Sequence, residues 1–146
     1  MKISSTAFAN NQQIQAKYTC TGDNVNPPLE FSDIPAQAKS LVLIVDDPDA
    51  PSGTWVHWTI FNMSPSLTHI AENTKPESGI EATTSFGKQS YGGPCPPSGN
   101  HRYFFKLYAL DTTLPLDKTA DKKAIEQAMQ GHIVDEAQLI GLYSKK

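Results

Sequence analysis

The amino-acid sequence predicts an α+β or mainly-β domain with helices packed at one end. Three stretches carry that expectation. Leu41-Val42-Leu43-Ile44-Val45 is an unbroken apolar run in which three residues are β-branched. It reads as a strand buried on both faces. Thr54–Met63 and His101–Leu110 are rich in aromatic and β-branched residues, the composition of strands. Only after residue 117 does the apolar spacing lengthen to that of a helix.

Taken in order, residues 2–9 hold Ile3 and Phe8, enough for a short first strand. Ile14, Ala16 and Tyr18 alternate and predict a second strand within 10–19. Turn formers crowd Thr21–Pro28, Leu29 and Phe31 alternate, and Ser32–Pro35 turns again. The central strand over 40–46 then runs into Asp46, Asp47, Pro48, Asp49 and Pro51. The prolines lack N–H donors and bias their predecessors toward extended backbone, so the chain leaves the sheet at its rim. Along 54–63, strict alternation places Trp55, His57, Thr59 and Phe61 on one face and Val56, Trp58 and Ile60 on the other. A turn at Ser64-Pro65 and a weak strand within 79–86 follow. Tyr91–Asn100 holds three glycines and three prolines in ten residues, which excludes helix and strand interior. In the strand after it, His101, Tyr103, Phe105 and Leu107 share one face, and Arg102, Phe104, Lys106 and Tyr108 the other. Ala120, Ala124, Ile125, Ala128 and Met129 predict a helix over 117–130 that Gly131 ends. Ala137, Ile140 and Leu142 read as a second short helix within 134–143.

A chain of 146 residues suits one domain, 1–146. With 38% apolar and 18% charged residues it is not a disordered chain, and a net charge of −3 makes no case for nucleic-acid binding. No run approaches the roughly 18 apolar residues that span a bilayer. The first residues lack the apolar stretch of a secretory signal, so a cytoplasmic protein is expected. In that compartment Cys20 and Cys95 are expected as reduced thiols. Their number also allows one Cys20–Cys95 disulfide. Lys122, Lys123, Lys145 and Lys146 read as solvated charge.

Three polar clusters sit at strand ends beside Gly- and Pro-rich backbone: Asp46/Asp47/Asp49, His57, and His101/Tyr103. If those strands are neighbours, two imidazoles, a phenol and a carboxylate can converge on an anion of phosphate type. A carboxylate on one ring nitrogen fixes a histidine's tautomer, a phenol donates, and backbone N–H groups of a glycine-rich loop add fixed donors. Plainer readings stand beside this one. A histidine on a strand is ordinarily structural, and His69 and His132 default to that role. Asp49 reads as a turn residue bonding its own loop, and Trp55 and Trp58 as core or pocket wall. Two histidines with carboxylates also suit a metal-assisted hydrolase, but no H-E-x-x-H run and no Gly-x-Ser-x-Gly elbow is present. Nothing local would activate Cys95 as a nucleophile.

Tyr18–Leu29, Asp47-Pro48-Asp49-Ala50-Pro51, Trp55-Val56-His57-Trp58, Gly92–Tyr103 and Gly131-His132-Ile133 together resemble the phosphatidylethanolamine-binding protein family, in its bacterial and archaeal Raf-kinase-inhibitor-like branch. The resemblance implies an antiparallel β-sandwich with short C-terminal helices. It implies a small cavity at one end of the sandwich for phosphate or phosphorylethanolamine-like groups, with no metal or other cofactor. By motif position Asp47, His57, His101 and Tyr103 would line that cavity, and Pro51, Trp55, Tyr91, Gly93, Pro96 and Pro97 would shape its wall. The implied role is non-enzymatic binding or regulation by a homodimer, with a protease or kinase as the protein partner. Val56-His57 stands where eukaryotic members carry His-His, and the loop before His101 is shorter than theirs, so their kinase-regulating surface is not carried over.

Overall fold

A computed structural model describes residues 1–145. Among them the chain forms β1 (Lys2–Ser4), β2 (Gln12–Gln13), β3 (Leu29–Ser32), β4 (Ser40–Asp47), β5 (Trp55–Met63), β6 (His69–Ile70), β7 (Ile80–Glu81), β8 (Asn100–Leu110), α1 (Lys122–Met129) and β9 (Ile133–Ser144). The strands make a three-stranded sheet, β1-β3-β6, and a six-stranded sheet, β2-β9-β8-β4-β5-β7. All pairings are antiparallel except β2 with β9. The fold is mainly β, as the patterning predicts, with one short helix.

The continuous apolar run of β4 is explained by cover on both sides. Leu41, Leu43 and Val45 join Ile3, Leu29, Phe31, Ile70, Phe105 and Leu107 in a core between the two sheets. Val42 and Ile44 join Phe61, Leu110, Leu114, Ile125 and Met129 in a second core under α1. The helix starts where the Asp121 carboxylate accepts a bond from the Ala124 N–H at 2.9 Å. It stops before Gly131, at φ 81°.

Four expectations are corrected. The second helix is strand β9, paired with β8 from Asn100↔Ser144 to Leu110↔Ile133. Leu139, Gly141 and Tyr143 are buried at period two against the inter-sheet core, and β8 would otherwise be an uncovered edge. The alternation of Ile14, Ala16 and Tyr18 builds no strand beyond the two residues of β2. Ala16–Tyr18 is a 3₁₀ turn, closed by bonds from Thr19 N–H to the Ala16 carbonyl and from Asn24 N–H to the Lys17 carbonyl. Lys122 is not free surface charge. Its ammonium lies 3.0 Å from Asp46, which is 1% exposed and also holds Lys106 at 3.0 Å. Lys146 lies outside the described residues.

The fourth correction concerns the faces of β5. Val45 pairs with Trp58 but Asp46 pairs with Val56, so His57 is an extra residue, a β-bulge. Beyond it the parity flips. Trp58 and Ile60 turn to the inter-sheet core with Val45 and Leu43, while Phe61 joins Val42 and Ile44 on the other side. Trp55 and His57 therefore share a face with Trp58, not with Thr59 and Phe61.

Candidate functional site

Strand parity delivers the site. Odd-numbered residues of β4 face the inter-sheet core, so Asp47 is the last of that row and sits opposite Trp55. On β8 the same face carries His101, Tyr103, Phe105 and Leu107, all buried. The bulge aims His57 into the same space. At this end of the sheet the apolar core gives way to a cavity of about 240 Å³. Of the sequence-predicted residues, Asp47, Pro51, Trp55, His57, Pro96, Pro97, His101 and Tyr103 line it. Tyr91 and Gly93 do not, and act behind the wall. The Tyr91 hydroxyl donates to the Tyr18 carbonyl at 2.8 Å and its ring meets Trp58 edge-on. The Gly93 N–H donates to the Asn24 side chain at 2.8 Å. A β-carbon on Gly93 would come within 2.3 Å of the Tyr18 carbonyl oxygen, so only glycine lets the two loops meet.

The polar groups are held one by one. His101 Nδ1–H donates to Asp47 Oδ2 at 2.7 Å, and the other Asp47 oxygen accepts the Asp49 N–H at 2.8 Å. The carboxylate therefore fixes the ring's tautomer and leaves Nε2 for a ligand. The bond to the aspartate loop, expected from Asp49, is made by Asp47. Asp49 instead clamps Arg102 through both its oxygens, at 2.9 and 2.8 Å, and accepts the Arg102 N–H at 3.0 Å. Arg102 holds the Asp49 carboxyl well below the usual carboxylate range, at about 2. The clamp ties the loop after β4 to β8 outside the cavity.

His57 Nδ1–H donates to the Gly92 carbonyl at 2.7 Å, again leaving Nε2. Burial pushes the His57 pKa down against the opposing pull of that carbonyl, so the ligand-free ring is neutral near pH 7. The Tyr103 hydroxyl is buried and, among the described residues, makes no hydrogen bond of good geometry, with the Asp47 carboxylate near enough only for a poor one. Burial first, then the charges of Asp47 and Asp49 and the weak contact with the Asp47 carboxylate, push its pKa up, so it stays a donor. Its ring packs edge-on to His57 at 5.2 Å and parallel to His101 at 6.5 Å. Two imidazoles with one committed nitrogen each and a phenol without a well-formed bond thus surround one space. Tyr103 donates as it stands and each Nε2 donates once its ring is protonated, so in that state the three groups can meet the three oxygens of a phosphoryl group.

The lining also includes Ala50, Cys95 and Phe86. Phe86 has no signal in the sequence beyond an aromatic residue in a turn-rich stretch. It is 42% exposed at the mouth, with its edge toward Trp55 at 5.5 Å and His57 at 5.5 Å. Cys95 is not a free thiol. It is bonded to Cys20, with the Cα atoms 5.4 Å apart, which corrects the expectation of reduced cysteines. The Cys20 N–H also donates to the Pro94 carbonyl at 3.1 Å, so the two loops already run side by side at that point. His69 and His132 lie outside the cavity lining, beside Thr68 and Asp111 respectively. Among the described residues no group of three or more His, Cys, Asp or Glu side chains is placed to hold a metal ion, and no helix is long and apolar enough to cross a membrane.

Known proteins with this sequence pattern fall in one place. A protein from Methanothermobacter thermautotrophicus, of the group called UPF0098, is 48% identical over 99% of both chains. One from Pyrococcus horikoshii is 48% identical, covering all of this chain and 77% of its own. Among solved structures, a phosphatidylethanolamine-binding protein homolog from Chlamydia trachomatis superposes with a TM-score of 0.95 at 41% identity, over 99% of this chain and 97% of that one. E. coli YbcL, described as a member of the mammalian family, superposes at 0.92 with 27% identity over 99% and 98%. The family model described as "Phosphatidylethanolamine-binding protein" matches residues 4–144, and this chain belongs to that family.

Proposed function

We propose that the protein is a non-enzymatic binding protein whose cavity takes a phosphate-type anion, free or as a small phosphomonoester such as phosphorylethanolamine. The Tyr103 hydroxyl, buried beside the Asp47–His101 pair with no well-formed hydrogen bond among the described residues, carries the reading. A buried donor without an acceptor is costly, and an oxyanion removes that cost. Among the described residues the cavity lining offers a phenol and two imidazoles that can hold an anion but no serine or free thiol to act as a nucleophile, so binding is the reading we favour over turnover. Titration calorimetry with inorganic phosphate and with phosphorylethanolamine tests it. Wild type should bind, and His101→Ala and Asp47→Ala should each lose most of the heat. Equal binding by all three proteins, or none by wild type, refutes it.

One observation favours a protein partner carrying the anion. Trp55 and Phe86, 38% and 42% exposed, form an apolar lip at the cavity mouth. Such a lip would receive the side chains flanking a phosphorylated or acidic residue, as an inhibitor or regulator of a protease or kinase would require. Capture of a partner from the source cell by wild type, lost on His57→Ala, is the expected result.

A further inference from the structure

We propose that the Cys20–Cys95 disulfide is a redox gate on the anion cavity, and that reducing it weakens ligand binding. The inference rests on the binding role just proposed and adds its regulation.

Cys95 is itself part of the cavity lining, set between Pro94 and Pro96. The loop from Tyr91 to Gly99 is well tied only in its first half. There the Gly92 N–H donates to the His57 carbonyl at 3.0 Å, the Gly93 N–H to Asn24 at 2.8 Å, and the Cys20 N–H to the Pro94 carbonyl at 3.1 Å. Beyond Pro94 the ties run out. Among the described residues no hydrogen bond reaches 95–99 before β8 begins at Asn100. Pro96 and Pro97 have no N–H to give. The disulfide is therefore, among the described residues, the last bonded tie before β8 on the half of the loop that carries the Pro96 and Pro97 wall, where packing of the buried Pro96 is the remaining hold.

Both cysteines are exposed, so a reductant reaches the bond directly. Exposed disulfides are the labile class, and buried ones the inert class. A thiolate of a small dithiol attacks one Sγ and the Sγ–Sγ bond breaks, giving a mixed disulfide and a Cys thiolate. The second thiol of the reductant then displaces the protein sulfur. The protein gains two electrons and two protons as two thiols, and the dithiol leaves as its cyclic disulfide. The freed wall must be ordered again each time a ligand binds. That costs about a tenfold loss of affinity, the equivalent of fixing one residue's backbone. By reciprocity, bound ligand opposes reduction by the same factor, a shift of about 30 mV for a two-electron couple.

The test measures phosphorylethanolamine binding by calorimetry to the oxidised protein, to the protein reduced with dithiothreitol, and to Cys20→Ser, whose altered side chain lies outside the cavity lining. Circular dichroism checks the fold of each. The expected result is about tenfold weaker binding by the reduced protein and by Cys20→Ser, with all three folded. Redox titration with and without the ligand should show the matching shift in potential. Equal affinity of the oxidised and reduced proteins overturns the gate and leaves the binding role standing. A reduced protein that unfolds also overturns it, because the bond is then a staple for the whole fold. Failure of the oxidised protein to bind phosphorylethanolamine or inorganic phosphate removes the binding role, and the gate with it.

Discussion

Tyr103→Phe should stabilise the ligand-free protein while weakening its binding, and the opposite signs make the prediction sharp. Tyr103 is 1% exposed, and among the described residues its hydroxyl makes no well-formed hydrogen bond, Asp47 offering only a poor one. An unsatisfied buried donor costs about 1–3 kcal/mol. Phenylalanine keeps the ring and its packing on His57 and His101, so removing the oxygen recovers part of that cost at little loss of contact. A gain of about 1 kcal/mol, or roughly 2–4 °C in melting temperature for a chain of this size, is expected. With an oxyanion in the cavity the hydroxyl makes a bond to a charged acceptor worth about 1.5–3 kcal/mol. Its loss should weaken phosphate or phosphorylethanolamine about ten- to hundredfold. Urea unfolding of both proteins without ligand, paired with calorimetric titration, reads the two effects. A ligand-free variant less stable than wild type would mean that the hydroxyl has a structural partner. An unchanged affinity would mean that it never meets the ligand. Either result breaks the link between the orphaned donor and binding.

Three further outcomes follow from the same geometry. Asp46→Asn should cost about 2–3 kcal/mol in urea unfolding, because it strands two partly buried ammonium groups, yet leave phosphate affinity within twofold, since Asp46 is no part of the cavity lining. Gly93→Ala should destabilise by about 3 kcal/mol, because its β-carbon would press within 2.3 Å of the Tyr18 carbonyl oxygen; a neutral result would mean that the loops part easily. The third concerns pH. Burial lowers the His57 pKa below 6.5, and donation from Nε2 to an oxyanion requires the protonated ring, so binding takes up a proton and should tighten as pH falls from 8 to 6, by at most about tenfold per unit. Without ligand the sign for stability is the reverse: as pH drops below about 6.5 the unfolded chain protonates before the folded one, and stability declines. Calorimetry and melting curves across that range check both trends, and His57→Asn should flatten both.

Legibility in the sequence followed how local each cause is. The β4 run and the alternation of β8 are readable because each residue's environment is set by its own strand. The convergence of Asp47, His101 and Tyr103 follows from that reading once the two strands pair. The miss in β5 has a non-local cause. Nothing in Trp55-Val56-His57-Trp58 announces a bulge, which exists only as a mismatch of register with β4. β9 reads as helix because Ala137, Ile140 and Leu142 fit that spacing, whereas the strand edge that captures the segment belongs to β8, whose paired residues run from Leu110 opposite Ile133 to Asn100 opposite Ser144. Compartment is a poor guide to the disulfide, whose cysteines, 75 residues apart, lie in two turn-rich segments joined by the Cys20 N–H to Pro94 carbonyl bond and the Gly93 N–H to Asn24 side-chain bond. Phe86 reaches the cavity mouth from a loop with no periodicity to read.

Asp46 and Asp47 are adjacent in the chain, yet strand alternation gives them unrelated tasks. Asp46 faces α1 and neutralises Lys106 and Lys122 under the second core. Asp47 faces the cavity, holds His101, and is itself held by its own loop. A one-residue slip of β4 would exchange them, placing the loop-held carboxylate beneath the helix and leaving His101 without its partner. The Arg102–Asp49 clamp and the proline-rich exit from β4 resist such a slip from outside the cavity, which gives these exposed groups a purpose beyond surface charge. Loosening the clamp with Arg102→Met should therefore broaden or shift the His101 imidazole resonances in an NMR spectrum. Unchanged resonances would assign the register to the apolar contacts of β4 alone.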